Sequence, residues 1–136
     1  MAKESELPAV FARLKQILAP YEKKMVVAQE TANMYVLNTR HMLTKNYPLM
    51  FGGVRLGKNY VSYYLMSVYA TPDEAKKMSP DLKKRMQGKS CFNFKSVDEK
   101  LFKELAQLTK AGAKRFSDER FVEQLRQAQH SRSARA

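Results

Sequence analysis

Cysteine, histidine, glycine and long apolar runs are all scarce in this sequence. Its 136 residues include one cysteine, two histidines and five glycines. A lone cysteine forms no internal disulfide and favours a reducing compartment, and without a Cys/His cluster the sequence offers no zinc site. No apolar run approaches the ~20 residues of a membrane span, and the N-terminus lacks the apolar segment of a secretory signal. We therefore expect a cytoplasmic protein with no cofactor and no membrane contact.

Positive charge, by contrast, is abundant. The chain has 25 Lys and Arg against 13 Asp and Glu, a net charge of +12. Such an excess attracts anions and supports nonspecific nucleic-acid binding, although a basic surface without a partner has the same composition. With 44% hydrophobic residues, the chain is long enough for one domain with its own core. We expect that domain over residues 5–127, followed by a flexible basic tail over residues 128–136.

Helical periodicity marks both ends of the domain. An apolar stripe predicts an amphipathic helix over residues 6–19; its members are Leu7, Val10, Phe11, Leu14, Ile17 and Leu18. Later in the chain, cap-like motifs predict helix starts at TPDE (71–74), SPD (79–81), SVDE (96–99) and SDE (117–119). Gly112 is placed to end the helix that follows SVDE.

The middle of the chain is typical of strands. Strand formers predict five of them, at residues 25–28, 33–37, 54–56, 60–66 and 91–95. Residues 38–48 are polar and predict a loop, and Gly52-Gly53 indicates a bulge or a close backbone approach. The strand over residues 60–66 is apolar or aromatic on both faces, which predicts a central strand covered on both sides. The element order predicts an α+β fold, an antiparallel sheet of about five strands with an N-terminal helix and C-terminal helices packed on it.

Residues 83–95, KKRMQGKSCFNFK, permit three chemical interpretations. GKS resembles a phosphate-binding P-loop, but that loop needs a glycine where Lys83 stands and a helix where a strand is predicted. Phe92 and Phe94 share one side of a strand, as in RNA-recognition strands, although alternating phenylalanines are more often core. Cys91 beside cations resembles an activated nucleophile. Its candidate bases are His41 and His130 alone, so a half-buried strand residue is the preferred interpretation.

The leading hypothesis is a non-enzymatic binding module for an anionic ligand or partner. Cations gather over residues 83–89 and at Lys58, beside glycines that let a backbone approach. The tyrosines of the 60–66 strand, together with Tyr35, are candidates to line a pocket. The candidate ligand-binding residues are Lys58, Tyr60, Tyr64, Lys84, Arg85, Lys89 and Cys91. The partner would be an anionic small molecule or nonspecific nucleic acid, and a cysteine-dependent enzyme using Cys91 is an alternative.

Two blocks of the sequence also carry a family resemblance. FGGVRLGKNYVSYYLM (51–66) and SPDLKKRMQGKSCFNFK (79–95), followed by LFKELAQLTKAG, resemble the YdhG-like family of bacterial domains of unknown function. The similarity covers roughly residues 7–116 and implies a small α+β domain. Some relatives are described as frataxin-like intracellular iron chaperones, so the resemblance implies iron binding as a further alternative function.

Overall fold

A six-stranded antiparallel sheet forms the centre of the protein, in a computed structural model that describes residues 2–70, 76–88 and 90–135. In chain order the elements are α1 (Ala2–Leu18), a 3-10 helix (Ala19–Lys24), β1 (Val26–Glu30), β2 (Met34–Met42), β3 (Pro48–Leu56), β4 (Val61–Leu65), α2 (Met66–Ala70), α3 (Pro80–Lys83), β5 (Met86–Gln87), β6 (Cys91–Phe94), α4 (Glu99–Phe116) and α5 (Glu119–Arg135). The strands lie in the order β1-β2-β3-β4-β6-β5. The predicted α+β fold is confirmed, with the short β5 as an additional strand.

The hydrophobic core occupies one face of the sheet. Alternate strand residues are buried there against α1, α2 and α4, in a cluster that includes Val10, Leu14, Leu18, Tyr35, Leu37, Val54, Val61, Tyr63, Leu65, Val68, Phe92, Phe94, Leu101 and Leu105. The intervening residues point the other way, and most of them keep partial exposure. We call this second side the open face; it carries Val36, Arg55, Ser62, Tyr64, Cys91 and Asn93. No helix in the described part of the chain is long and apolar enough to cross a membrane.

The strand β4 is central but covered differently from the prediction. It pairs with β3 on one side and β6 on the other, which confirms its central position. Tyr63 is fully buried in the core, whereas Tyr64 lies on the open face and is half-buried. Ser62 on the same open face is buried, so the predicted cover on both sides is found in part: the open face has no hydrophobic layer like that of the core, which an antiparallel sheet needs on only one side.

The predicted loop over residues 38–48 was also wrong. Strand β2 continues to Met42 and β3 begins at Pro48, so the turn is confined to residues 43–47. Thr39 is buried, and its hydroxyl donates to the carbonyl of Leu49 at 2.9 Å. Its neighbour Arg40 is exposed. Polar side chains therefore continue the strand, because half of them need not enter the core.

The helix ends differ from several predicted caps. Ser79 caps α3 as expected, accepting from the Leu82 N–H at 3.2 Å. The cap of α4 is Asp98 rather than Ser96, since its carboxylate accepts from the Leu101 N–H at 3.1 Å. Gly112 does not end this helix, which runs on to Phe116. The predicted helix start at residues 71–74 lies outside the described residues. Helices follow the other three predicted starts and begin at Pro80, Glu99 and Glu119.

The last helix extends into the predicted tail. The backbone of α5 stays helical to Arg135, where the sequence predicts a flexible segment from residue 128. Residues 127–135 contain alanine, glutamine and arginine, which favour helix, and they contain neither glycine nor proline to stop it. High polarity alone is therefore a weak signal for the end of a helix.

The Gly52-Gly53 pair shows both of its predicted features. In the pairing of β2 with β3, Leu37 faces Gly52 but Asn38 faces Met50, so Phe51 is the extra residue of a bulge. A Cβ added to Gly52 would lie 2.8 Å from the carbonyl oxygen of Tyr64. The glycine therefore lets β3 approach β4 closely at the bulge.

Gly112 supplies a test of the helix packing. A Cβ at this position would lie 2.2 Å from Ser67 Oγ and 2.7 Å from Ser67 Cβ, because α4 packs closely on α2 there. We expect Gly112→Ala to destabilise the protein by about 1–3 kcal/mol through overpacking, although alanine alone favours helix by about 1 kcal/mol. Denaturant unfolding measures the change. The exposed Lys110→Ala in the same helix is the control and should stay within about 0.5 kcal/mol; a stabilised Gly112→Ala would contradict the close packing.

Candidate functional site

Two neighbouring hairpins bring the basic residues together at one end of the sheet. The β3–β4 turn forms a pocket of about 200 Å³, lined by Arg55, Gly57, Lys58, Asn59, Tyr60 and Ser62. The β5–β6 hairpin forms another of about 340 Å³, lined by Tyr60, Lys84, Arg85, Met86, Gln87, Asn93 and Lys95. Tyr60 lines both pockets. We call the combined surface the basic hollow, and its cations are Arg55, Lys58, Lys84, Arg85 and Lys95.

The structure groups most of the residues that the sequence singled out. Lys58, Tyr60, Lys84 and Arg85 all line the basic hollow. Tyr64 and Cys91 face each other across β4 and β6, two residues farther along the open face than the Ser62 and Asn93 of the hollow. Lys89 lies outside the described residues.

Arg55, Lys95 and the polar residues Ser62, Gln87 and Asn93 were missed by the sequence analysis. Arg55 is the one charged residue of the otherwise apolar β3, and Asn93 alternates with two buried phenylalanines in β6. Each was visible as a polar residue facing away from the core. Their grouping follows from strand register, which local sequence patterns do not encode.

The cations of the basic hollow have few acids beside them. Among the described residues, Lys84 pairs with Asp81 at 4.0 Å, and both side chains are largely exposed. Other ion pairs of the described residues lie elsewhere: Arg13 with Glu99, Lys15 with Glu30, and Arg126 with Glu123. None of the described residues that line either pocket has a carboxylate. The hollow therefore has a positive potential that attracts anions.

A hydrogen-bonded polar network forms the floor of the hollow. The Ser62 hydroxyl donates to Asn93 Oδ1 at 2.7 Å, and Asn93 Nδ2 donates to Gln87 Oε1 at 2.6 Å. The Asn93 backbone N–H donates to the Arg85 carbonyl at 2.8 Å, which ties the β5 edge to β6. These bonds fix both amide orientations and place the Gln87 amide nitrogen at the exposed rim as a donor. The floor is thus preorganised and offers donors rather than charge.

Cys91 adjoins this network as a neutral thiol. Its Sγ donates to Asn93 Oδ1 at 3.5 Å. Burial raises the pKa of the thiol above its ordinary value, and the side chains of Ser62 and Tyr64 lower it by less. The nearby cations therefore do not produce an activated thiolate, because desolvation disfavours the charged form.

The histidine considered as a base for Cys91 lies elsewhere. His41 lines a separate pocket of about 390 Å³ with Glu119, Arg120, Val122, Glu123 and Arg126 of α5. In register, Cys91 faces Tyr64, which faces Gly53, which faces Val36. His41 is five residues beyond Val36 on β2, so strand geometry separates it from Cys91 by roughly 20 Å. A Cys91–His41 pair is not assembled, and the side chain of His130 lies outside the described residues.

The aromatic residues divide between core and surface. Phe92 and Phe94 are 0% and 1% exposed, which confirms that they are core residues. Tyr35 and Tyr63 are also fully buried, with hydroxyls bonded to Glu22 and Thr109, so the idea that they line a pocket was wrong. Tyr60 is 37% exposed and is the ring that borders the hollow.

Neither a cluster of metal-binding side chains nor a similar known protein assigns a role to this site. Within residues 2–70, 76–88 and 90–135, no three His, Cys, Asp or Glu side chains come together to hold a metal ion. The chain matches no known protein family, no curated protein and no solved structure in comparisons with each. The resemblance to the YdhG-like family, and the iron binding it implies, therefore stay predictions.

The raised pKa of Cys91 gives a direct chemical test. We expect iodoacetamide to alkylate the folded protein slowly near pH 7, because a raised pKa lowers the thiolate fraction. The midpoint of the rate against pH should lie above that of a small free thiol, about 8.5. The same protein unfolded in urea is the control and should show the ordinary midpoint. A folded-state midpoint below that of the unfolded chain would mean that the cations, not burial, dominate.

Proposed function

We propose that the protein is a cytoplasmic, non-enzymatic binding module whose basic hollow takes an anionic ligand or partner. The observation that carries the proposal is the convergence of the cations of two hairpins on one surface, with no carboxylate among the described residues that line it. Cations that stabilise a fold are usually placed beside acids, whereas these repel one another. Their grouping is most simply explained by a negative charge that enters the hollow.

The chemistry of the hollow supports binding more than catalysis. Arginine offers a planar fork of donors that matches phosphate or carboxylate oxygens, and lysine offers a point charge. Ser62, Gln87 and Asn93 add neutral donors. The described lining has no histidine, cysteine or carboxylate, the side chains that most often carry acid–base and nucleophilic chemistry. The lone cysteine supports a reducing, cytoplasmic setting.

A charge-matched pair of variants tests the site. We expect Lys58→Gln/Arg85→Gln, which removes one cation from each pocket, to weaken binding of inorganic polyphosphate at least about tenfold at low salt, since each lost charge-assisted contact is worth roughly 1.5–3 kcal/mol. The control is Lys103→Gln/Lys110→Gln on the exposed side of α4, which lowers the net charge equally. Isothermal titration at about 50 and 200 mM salt measures both, and the wild-type affinity should fall with salt.

The control variant distinguishes binding in the basic hollow from attraction to the overall positive charge of the protein. Equal weakening in the two double variants would show that polyphosphate senses only net charge. No binding by the wild-type protein at low salt would remove the proposed function altogether. Circular dichroism verifies that each variant is folded, which is expected because all four substituted positions are exposed or half-buried.

A further inference from the structure

We infer that the anion bound in the basic hollow is the backbone of a single-stranded nucleic acid, with a base stacked on Tyr60. The inference rests on the proposed function and goes one step beyond it, from anions in general to one class of polymer. Three features of the hollow carry it: the separation of its arginines, the exposed ring between its pockets, and the neutral donors and acceptors between the arginines.

The two arginines are widely separated at the backbone. Arg55 faces Ser62 and Ser62 faces Asn93 in register, while the Asn93 N–H bonds to the Arg85 carbonyl. Arg55 and Arg85 are thus three strand spacings apart, roughly 14 Å at the backbone. A single phosphate meets both only when the two side chains extend fully toward each other. A chain of phosphates contacts both, and sequence-independent affinity for nucleic acids comes from such repeated contacts.

Tyr60 supplies a stacking surface at the middle of that path. Its ring lines both pockets and is 37% exposed, with cations on either side. Proteins that bind single strands combine a positively charged groove with aromatic rings on which bases stack. The phenylalanines of β6 are buried in the core and take no part, so the stacking surface is the tyrosine.

The polar network fits base edges rather than further phosphates. Ser62 and Asn93 lie between the two arginines, and Gln87 lies beside Arg85 at the sheet edge. The Ser62 hydroxyl proton is used within the network, whereas the Asn93 and Gln87 amides keep further N–H donors. Amide and hydroxyl groups of this kind pair with the exposed edges of unstacked bases. A duplex hides the Watson–Crick edges and the faces of its bases, so the hollow favours a single strand.

Binding assays with four polyanions test the inference. A fluorescently labelled single-stranded oligonucleotide of about eight nucleotides is titrated by anisotropy, and unlabelled competitors are the same sequence as a duplex, inorganic polyphosphate and polyglutamate. We expect the unlabelled single strand to compete best. Polyphosphate or polyglutamate competing as well at equal charge would overturn the inference, because the hollow would then recognise charge without bases.

Variants of Tyr60 separate stacking from charge. We expect Tyr60→Leu to weaken oligonucleotide binding about tenfold or more, since stacking on one aromatic ring contributes that much, while polyphosphate binding changes less than about twofold. Tyr60→Phe keeps the ring and is the matched control, which should bind like the wild type. Equal oligonucleotide affinity in Tyr60→Leu and wild type would overturn the inference.

The outcomes distinguish the two proposals. Polyphosphate binding that depends on Lys58 and Arg85 but not on Tyr60 leaves the anion site in place and rejects the nucleic acid. Failure of every polyanion to bind rejects the anion site itself, and with it this inference. Loss of oligonucleotide binding in both Tyr60→Leu and Lys58→Gln/Arg85→Gln, with polyphosphate lost only in the latter, supports both proposals.

Discussion

The one-sided burial of the sheet is the constraint on which the other features depend. Helices α1, α2 and α4 pack on a single face, so the alternation of side chains along each strand divides the residues into two sets. In β6 this division puts Phe92 and Phe94 into the core and leaves Cys91 and Asn93 on the open face. The core-facing set supplies the hydrophobic driving force for folding. The set on the open face is free to take functional roles.

The basic hollow illustrates that freedom. Its cations contribute little to folding, because no acid is among the described residues that line the pockets and the cations repel one another. The acids of the described residues act elsewhere, for example Asp98 at the start of α4 and Glu104 on Ser79. Salt largely screens the repulsion between exposed charges that are more than roughly 10 Å apart, so the fold tolerates the cluster. Selection for stability alone does not explain why the cations are grouped.

Sequence patterns predicted the core better than the site, for a physical reason. The stripe of α1 and the alternating phenylalanines of β6 are local signals of burial, and both were confirmed. The extent of β2 was underestimated because polar residues on an open face look like a loop. Lys58 and Arg85 were visible from their local charge density, and Arg55 lies three residues from Lys58 in the same hairpin. The two hairpins, however, meet only through the pairing of β4 with β6. Register is a long-range property, so no window of sequence contains it.

The backbone, rather than the side chains, sets the spacing between Arg55 and Arg85. This spacing influences which ligands the hollow can bind. Arg55 and Arg85 are held by the hydrogen-bond ladder of β3, β4 and β6 and by the bond from Asn93. Flexible side chains adjust the reach of each cation, but they do not bring the two strands together. Both arginines reach a compact anion only with their side chains fully extended. We therefore expect the site to favour a ligand that repeats its charge along a chain, because such a ligand gains contacts that a small anion does not.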